Sequence, residues 1–186
     1  MTGLQTLDPL LAVAAAGFIA LILARAAAHK MSEFVAFTGT LSDYRMLPER
    51  LLAPAAMLLI GVETAIAAGL LWSGTRPFAG IAAAALLLLY AAVMAVPLSQ
   101  GRTEISCGCG GPTDHLSPAL LVRNGVLAAL ALVAAAPVSD RALSWLDVLS
   151  LPFAVVGMWF ILETAEQALQ NEAYIRALKS RLRSEV

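Results

Sequence analysis

The chain has 186 residues, of which 60% belong to the apolar set and only 13% are charged, and its mean hydropathy is +0.80. These values predict an integral membrane protein rather than a soluble domain. The 12 basic and 13 acidic residues nearly cancel, which argues against a nucleic-acid partner held by a basic surface. The apolar residues occur in blocks, so we expect an all-α, polytopic helical bundle in the lipid bilayer and no outer-membrane barrel.

Five charge-poor segments are long enough to cross a bilayer core, which needs about 20 apolar helical residues. They cover residues about 9–28, 53–73, 77–99, 117–136 and 144–165. The first four are predicted as core spans, and the fifth is a weaker prediction because Pro152 lies inside it. We expect one transmembrane bundle over residues 1–165, followed by a charged juxtamembrane helical tail at 166–186.

Two local patterns add detail to this arrangement. Between the first two spans, apolar residues recur at helical spacing, at Phe34, Phe37, Leu41 and Tyr44. This spacing predicts a short amphipathic helix that lies in the membrane interface. In the second span, Gly61, Ala65 and Gly69 recur at intervals of four, which predicts close packing against a neighbouring helix.

Basic residues indicate which ends of the spans face the cytoplasm. With five spans, ten of them fall on one side, including Arg25, Lys30 and Arg123, and two, Arg76 and Arg141, fall on the other. We therefore expect a multi-pass protein of the cell inner membrane, with its amino terminus outside and its tail in the cytoplasm. If the fifth segment did not cross, the count would become six against six.

Both cysteines of the chain, Cys107 and Cys109, lie in the glycine-rich turn 106–112 between the third and fourth spans. One intervening glycine permits a small, strained disulfide ring, and an exposed loop admits a partner's thiolate. We interpret the pair as the candidate catalytic dithiol of thiol–disulfide exchange. Two alternatives stay open: small residues at a tight turn, or a metal site with Asp114 and His115, whose spacing matches no usual zinc pattern. We expect no metal and no cofactor.

Glu63, in the middle of the second span, is the other candidate catalytic residue. A carboxylate at that depth costs on the order of several kcal/mol unless it is neutral, paired or turned to the bundle interior. We expect either a proton relay that serves thiol–disulfide exchange or a polar contact between helices, with Arg123 or hydroxyls such as that of Thr64 as its partner. Arg123 and Asn124 are expected to anchor and pack the start of the fourth span.

Several of these features occur together in a known family. They are the aromatic segment 34–47 with Leu47-Pro48, the second span with Glu63, the Cys-Gly-Cys-Gly-Gly turn, and the run 121–124, Leu-Val-Arg-Asn. With them, residues from about 10 to 136 resemble the small MauE/DoxX-like redox-associated membrane proteins, and within that group the MauE family of methylamine utilisation.

The resemblance implies a role in the maturation of methylamine dehydrogenase, whose exported small subunit carries many disulfides. It implies that Cys107 and Cys109 help to form or reshuffle those disulfides beside a thioredoxin-like partner of the MauD type. The alternative is a non-enzymatic scaffold or export factor that holds the subunit or the partner.

The predicted side of the cysteine loop conflicts with this client, because the basic residues place the loop in the cytoplasm whereas the disulfides form outside. Three explanations stay open. The fifth segment does not cross, a cytoplasmic donor exchanges electrons with the pair, or access is through the bundle.

Overall fold

A computed structural model describes residues 7–101 and 116–184 of the chain, apart from the side chains of residues 170 and 172–184. Its helices are α1 (Pro9–Ser32), α2 (Phe34–Asp43), α3 (Glu49–Leu71), α4 (Arg76–Ser99), α5 (Pro118–Ala135) and α6 (Trp145–Ser184). All except α2 contain an apolar stretch long enough to cross a membrane. Within the described residues, β-pairing amounts to one isolated bridge between Leu7 and Val138. The predicted all-α, polytopic membrane fold is confirmed.

Local sequence signals set the start of α1. Asp8 caps the helix by accepting a hydrogen bond of 2.8 Å from the backbone N–H of Leu10. Pro9 occupies the first helical position, where its missing N–H is not needed. The helix continues to Ser32, past the predicted end at residue 28, because neither glycine nor proline follows to stop it. The extra turn carries Lys30 into the bundle.

α1 is the central helix of the bundle. It packs against α3, α5 and α6 and also touches α2 and α4. More than half of its most apolar window is buried, whereas none of the corresponding window of α6 is. Most of its buried side chains are small, which lets neighbouring helices approach closely. The most deeply buried are Ala12, Ala15, Ala16, Ile19 and Leu23.

Among the described glycines, Gly80 lies at the closest contact between two helices, α4 and α5. A β-carbon added at Gly80 would lie 2.7 Å from the carbonyl oxygen of Ala131 and 2.8 Å from the β-carbon of Ala135. Neither neighbour is the end of a flexible side chain, so only glycine fits at this crossing. Gly80 was not singled out from the sequence.

The small-residue row predicted in α3 is only partly used for packing. A β-carbon at Gly69 would lie 3.1 Å from the β-carbon of Ala79, so this glycine does lie at a close contact. A β-carbon at Gly61 would meet nothing within 4 Å among the described residues, and Ala65 is exposed. The prediction was wrong at these two positions. Residues spaced by four lie on one face of a helix, but the spacing does not show whether another helix packs against that face.

α6 runs beside α1, in the same direction, from one end of the bundle towards the other. At one end, Arg141 binds both Asp8, the cap of α1, and Asp147, in the first turn of α6. Towards the other end, Arg25 of α1 binds Glu163 of α6 at 3.0 Å. Asp147 and Glu163 are sixteen residues apart, which corresponds to about 24 Å of helix. α6 therefore has the length and the alignment of a fifth span.

Pro152 does not end this helix, since α6 spans 40 residues and continues from Pro152 to Ser184. Proline is tolerated in membrane helices when the freed backbone groups find other partners. The helix also passes residues 165 and 166 without a break. The division between a bundle and a juxtamembrane tail at that point stays a prediction.

The contact at Asp8 depends on pH. The hydrogen bond from Arg141, together with that from the backbone of Leu10, holds the pKa of Asp8 below its ordinary value. A carboxyl group whose pKa is lowered by folding stabilises the fold above its ordinary pKa, and that contribution is lost as the pH falls through the lowered value. The junction between the amino end of α1 and the start of α6 is therefore weakened in acid.

We predict that reporter domains fused after Gly74, between α3 and α4, and after Val186 lie on opposite sides of the membrane. The reason is that α4, α5 and α6 each cross once between these positions. The measurement uses a paired reporter, one active only outside and one active only in the cytoplasm, and we expect the outside signal at Gly74. Activity of both fusions on one side would show that one of the three helices does not cross.

Candidate functional site

The centre of the candidate site is a buried ion pair. The Nζ atom of Lys30 in α1 donates a hydrogen bond of 2.6 Å to Oε1 of Glu63 in α3. Glu63 is 0% exposed and Lys30 is 2% exposed. The hydroxyl of Tyr90 in α4 donates a second hydrogen bond of 2.7 Å to the same carboxylate oxygen. One carboxylate therefore joins three helices in the interior of the bundle.

The partner of Glu63 is neither of the two that the sequence suggested. The hydroxyl of Thr64 donates instead to the backbone carbonyl of Ile60 at 2.8 Å, which is the local contact that a helical threonine makes most easily. Arg123 forms its ion pair with Glu166 of α6. The need for a partner at Glu63 and a hydroxyl as one possible partner were correctly predicted, but neither Lys30 nor Tyr90 was named.

Lys30 is the partner that sequence reasoning missed. It was counted among the cytoplasmic charges because it follows the predicted end of the first span. In the structure it continues the buried stripe formed by Ile19, Leu23 and Ala27, at helical spacings of four, four and three. That register was a usable signal, since a lysine on the buried face of a central helix needs an anion nearby.

Aromatic rings enclose the lysine. The ammonium of Lys30 lies 5.4 Å from the ring centroid of Phe37 and 5.5 Å from that of Tyr90, both within the range of a cation–π contact. Phe37 belongs to α2 and is buried. The short helix predicted from the aromatic spacing is present as α2, and it covers the lysine end of the ion pair.

A small polar cavity adjoins the carboxylate. It has a volume of about 30 Å³, and Lys30, Glu63, Tyr90, Arg123 and Asn124 contribute to its wall. The second carboxylate oxygen, Oε2 of Glu63, is buried and has no hydrogen-bond partner among the described protein groups. A cavity of this size and polarity can accommodate a water molecule. The site therefore has the components of a short proton path at the carboxylate.

Two arginines extend the polar region towards α6. Arg25 lies 4.8 Å above the ring of Trp159 while it binds Glu163. Arg123 is paired with Glu166 one turn further along α6. Asn124 is 3% exposed, in agreement with its predicted packing role. These contacts hold the middle of α6 against α1 and α5.

A larger, mainly apolar cavity lies on the other side of the ion pair. It has a volume of about 280 Å³ and is enclosed by α2, α3, α4 and the segment before α3. Its lining residues with polar side-chain groups are Lys30, Thr40, Tyr44 and Tyr90. Both cavities therefore meet at the same lysine and tyrosine.

Cys107 and Cys109 lie outside the described residues, as do Asp114 and His115. The described chain stops at Gly101, two residues after α4, and resumes at Leu116, just before α5. Leu116 is 2% exposed and packs with Tyr44 and Met94 in an apolar cluster. Tyr44 and Met94 also line the larger cavity. The segment that carries the cysteines thus rejoins the fold at the wall of that cavity.

These features define a polytopic helical membrane protein with a buried ion pair in the interior of the bundle and both of its cysteines in the sequence between α4 and α5. The sequence model of the family described as methylamine utilisation protein MauE matches residues 7–137. The chain belongs to the MauE family. The match contains α1 to α5 and both cysteines, and it ends before α6.

Three curated relatives illustrate the similarity. The MauE protein of Paracoccus denitrificans is 41% identical over 120 residues, which is 63% of this chain and 64% of the relative. That of Methylophilus methylotrophus is 42% identical over 102 residues, or 55% and 54%. That of Methylorubrum extorquens is 34% identical over 159 residues, or 83% and 84%. The chain thus spans less than two thirds of the length of the first two. No solved structure matches the chain.

We predict that removing one member of the buried pair destabilises the protein more than removing both. Glu63→Leu leaves a buried lysine without its anion, a change that costs about 3–5 kcal/mol. The double variant Lys30→Met with Glu63→Leu removes both charges and recovers most of that loss. Reversible unfolding in detergent micelles measures the difference.

The matched control is Arg25→Gln, which removes an ion pair whose arginine side chain is 45% exposed. An exposed pair contributes about 0–1 kcal/mol, so this change should have little effect. Additive effects of the Lys30 and Glu63 substitutions would mean that the two groups do not interact.

Proposed function

We propose that the protein is a membrane accessory factor for the maturation of methylamine dehydrogenase and that it acts by thiol–disulfide exchange. The observation that carries the proposal is the placement of both cysteines of the chain within three positions, in a chain of the MauE family. The relatives are named methylamine utilisation proteins, which supports a client in methylamine metabolism. Cys107 and Cys109 are the proposed exchanging pair.

The client proposed for this chemistry is the disulfide-rich small subunit of the dehydrogenase. A thioredoxin-like protein of the MauD type is the proposed partner. In each transfer a thiolate of one protein attacks a disulfide sulfur of the other, a mixed disulfide forms, and the second thiol resolves it. Two cysteines separated by one residue can provide both the attacking and the resolving sulfur.

We propose that Glu63 accepts and releases protons during this exchange. Each dithiol that is oxidised releases two protons, and each disulfide that is reduced takes up two. The carboxylate already accepts hydrogen bonds from Lys30 and Tyr90, and its second oxygen borders the small polar cavity. These contacts give a proton a sequence of polar groups within an otherwise apolar interior.

The length and alignment of α6 bear on the side of the membrane where exchange occurs. They favour the five-span arrangement, in which ten basic residues lie on the side of the cysteine loop and two lie on the other. With five spans, an exported client requires either that the pair exchanges electrons with a cytoplasmic thiol protein or that a thiolate reaches it through the bundle.

We predict that Cys107→Ser and Cys109→Ser each abolish the contribution of this protein to dehydrogenase assembly, because a two-electron exchange needs both sulfurs. The measurement is the amount of active dehydrogenase in cells that carry only the variant. One of the single variants should also trap a thioredoxin-like partner as a mixed disulfide, seen as a larger band that reduction removes.

Two further variants sharpen this test. Glu63→Gln keeps a hydrogen-bonding side chain but cannot carry a proton as the carboxylate does, so we expect slower assembly per molecule of membrane protein, with the amount of the variant in the membrane measured alongside. The serine double variant provides the decisive comparison. If it still supports full assembly, the exchange mechanism is wrong and a non-enzymatic scaffold is the better explanation.

A further inference from the structure

We propose that the larger cavity binds the ring of a lipid-soluble quinone, and that this quinone is the electron acceptor of the cysteine pair. The inference rests on the proposed function for its redox step. The binding site itself rests on the cavity, its wall and its charge, which are properties of the described residues.

The dimensions of the cavity fit a ring better than a lipid chain. A dry apolar cavity of roughly 150 Å³ accepts benzene in an engineered protein, and this cavity is about 280 Å³. It therefore has room for a substituted six-membered ring and the first part of a tail. Its wall includes the aromatic rings of Phe37, Tyr44 and Tyr90, which offer flat surfaces to such a ring.

One side of the cavity is available to the bilayer. Three apolar residues of its wall remain partly exposed, Met46 by 44%, Leu47 by 39% and Leu89 by 54%. α2, which contributes Phe37, Thr40 and Leu41 to the wall, has the apolar spacing of an interfacial helix. A ligand with an isoprenoid tail can therefore place its ring beneath α2 while the tail extends past Leu89 into the lipid.

The charge in the wall favours a neutral ligand with acceptor oxygens. Lys30 contributes three N–H donors, and the hydrogen bond to Glu63 uses one of them. No other hydrogen bond of its ammonium is found within residues 7–101 and 116–184. Because Glu63 already balances the positive charge, an anionic lipid headgroup gains little here. A quinone carbonyl needs a donor and no net charge, which is what the lysine offers.

The position of the cysteine segment makes such a ligand useful. This segment re-enters the described fold at Leu116, which packs with Tyr44 and Met94 of the cavity wall. Cys109 precedes Leu116 by seven residues, so even a fully extended chain keeps it within roughly 25 Å of that residue. A dithiol that turns over must pass its electrons to another carrier.

The proposed step balances atoms and electrons. The two thiols of Cys107 and Cys109 lose two electrons and two protons, and one S–S bond forms. The quinone gains the same two electrons and two protons and becomes a quinol, which leaves into the bilayer. The lysine donor beside the ring would stabilise negative charge as it develops on the quinone oxygen.

The test uses full-length protein in detergent micelles and a short-chain ubiquinone as the probe. We expect saturable binding of the quinone and no comparable binding of an isoprenoid alcohol with the same tail. Val93→Phe, which fills the cavity from α4, should weaken quinone binding by at least about tenfold. Val96→Phe, on the same helix but outside the cavity wall and 44% exposed, should leave the affinity within about twofold.

A second measurement separates binding from electron transfer. The reduced wild-type protein should convert one quinone to quinol per cysteine pair, whereas the double Cys→Ser variant should bind quinone but not reduce it. Equal binding of quinone and alcohol, or equal binding by the two phenylalanine variants, would overturn the proposed site. Binding without reduction by the wild-type protein would overturn the electron route. Dehydrogenase assembly in the serine variants tests the proposed function independently.

Discussion

The hydrogen-bonded ion pair between Lys30 and Glu63 is the constraint around which this bundle is arranged. Two charges buried among apolar helices are stable only when each lies against the other in good geometry. Their 2.6 Å contact therefore fixes the last turns of α1 against the middle of α3. The hydroxyl of Tyr90 adds α4 to the same point. A shift of any of these helices by one residue would leave a charge unpaired, so the pair specifies register as well as contributing to stability.

The same interaction connects the structure to the proposed chemistry. Lys30 and Tyr90 line both cavities, so a polar contact within the bundle also forms part of the wall of each cavity. Because the pair is neutral overall, it offers donors and a proton-accepting carboxylate without an excess of charge. The segment that carries the cysteines rejoins the fold through Leu116 at the wall of the larger cavity. Proton exchange, ligand binding and thiol chemistry are thus proposed for neighbouring parts of the molecule.

Much of the fold could be predicted from the sequence, because the long apolar segments between charged residues indicate the membrane spans directly. The depth of Glu63 likewise predicted that it needs a partner. Lys30 was misjudged because a lysine near the end of an apolar segment ordinarily reaches the interface, and the helix end at residue 32 was placed too early. The close helix contact at Gly80 was not predicted, and the one predicted at Gly61 is not found among the described residues. Both errors have a related reason. Sequence spacing defines a helix face, but tertiary packing decides which helix approaches it and how closely.

Thiol trapping in native membranes shows whether the two cysteines act as one redox pair. Thiol exchange is stopped with acid, a bulky maleimide is then added, and each free thiol that it tags increases the mass of the protein by one maleimide. After treatment with an oxidant we expect protein with no tags, and after reduction protein with two tags. The two forms should interconvert with little protein that carries a single tag. Two free thiols under oxidising and reducing conditions alike would mean that Cys107 and Cys109 do not form a redox pair.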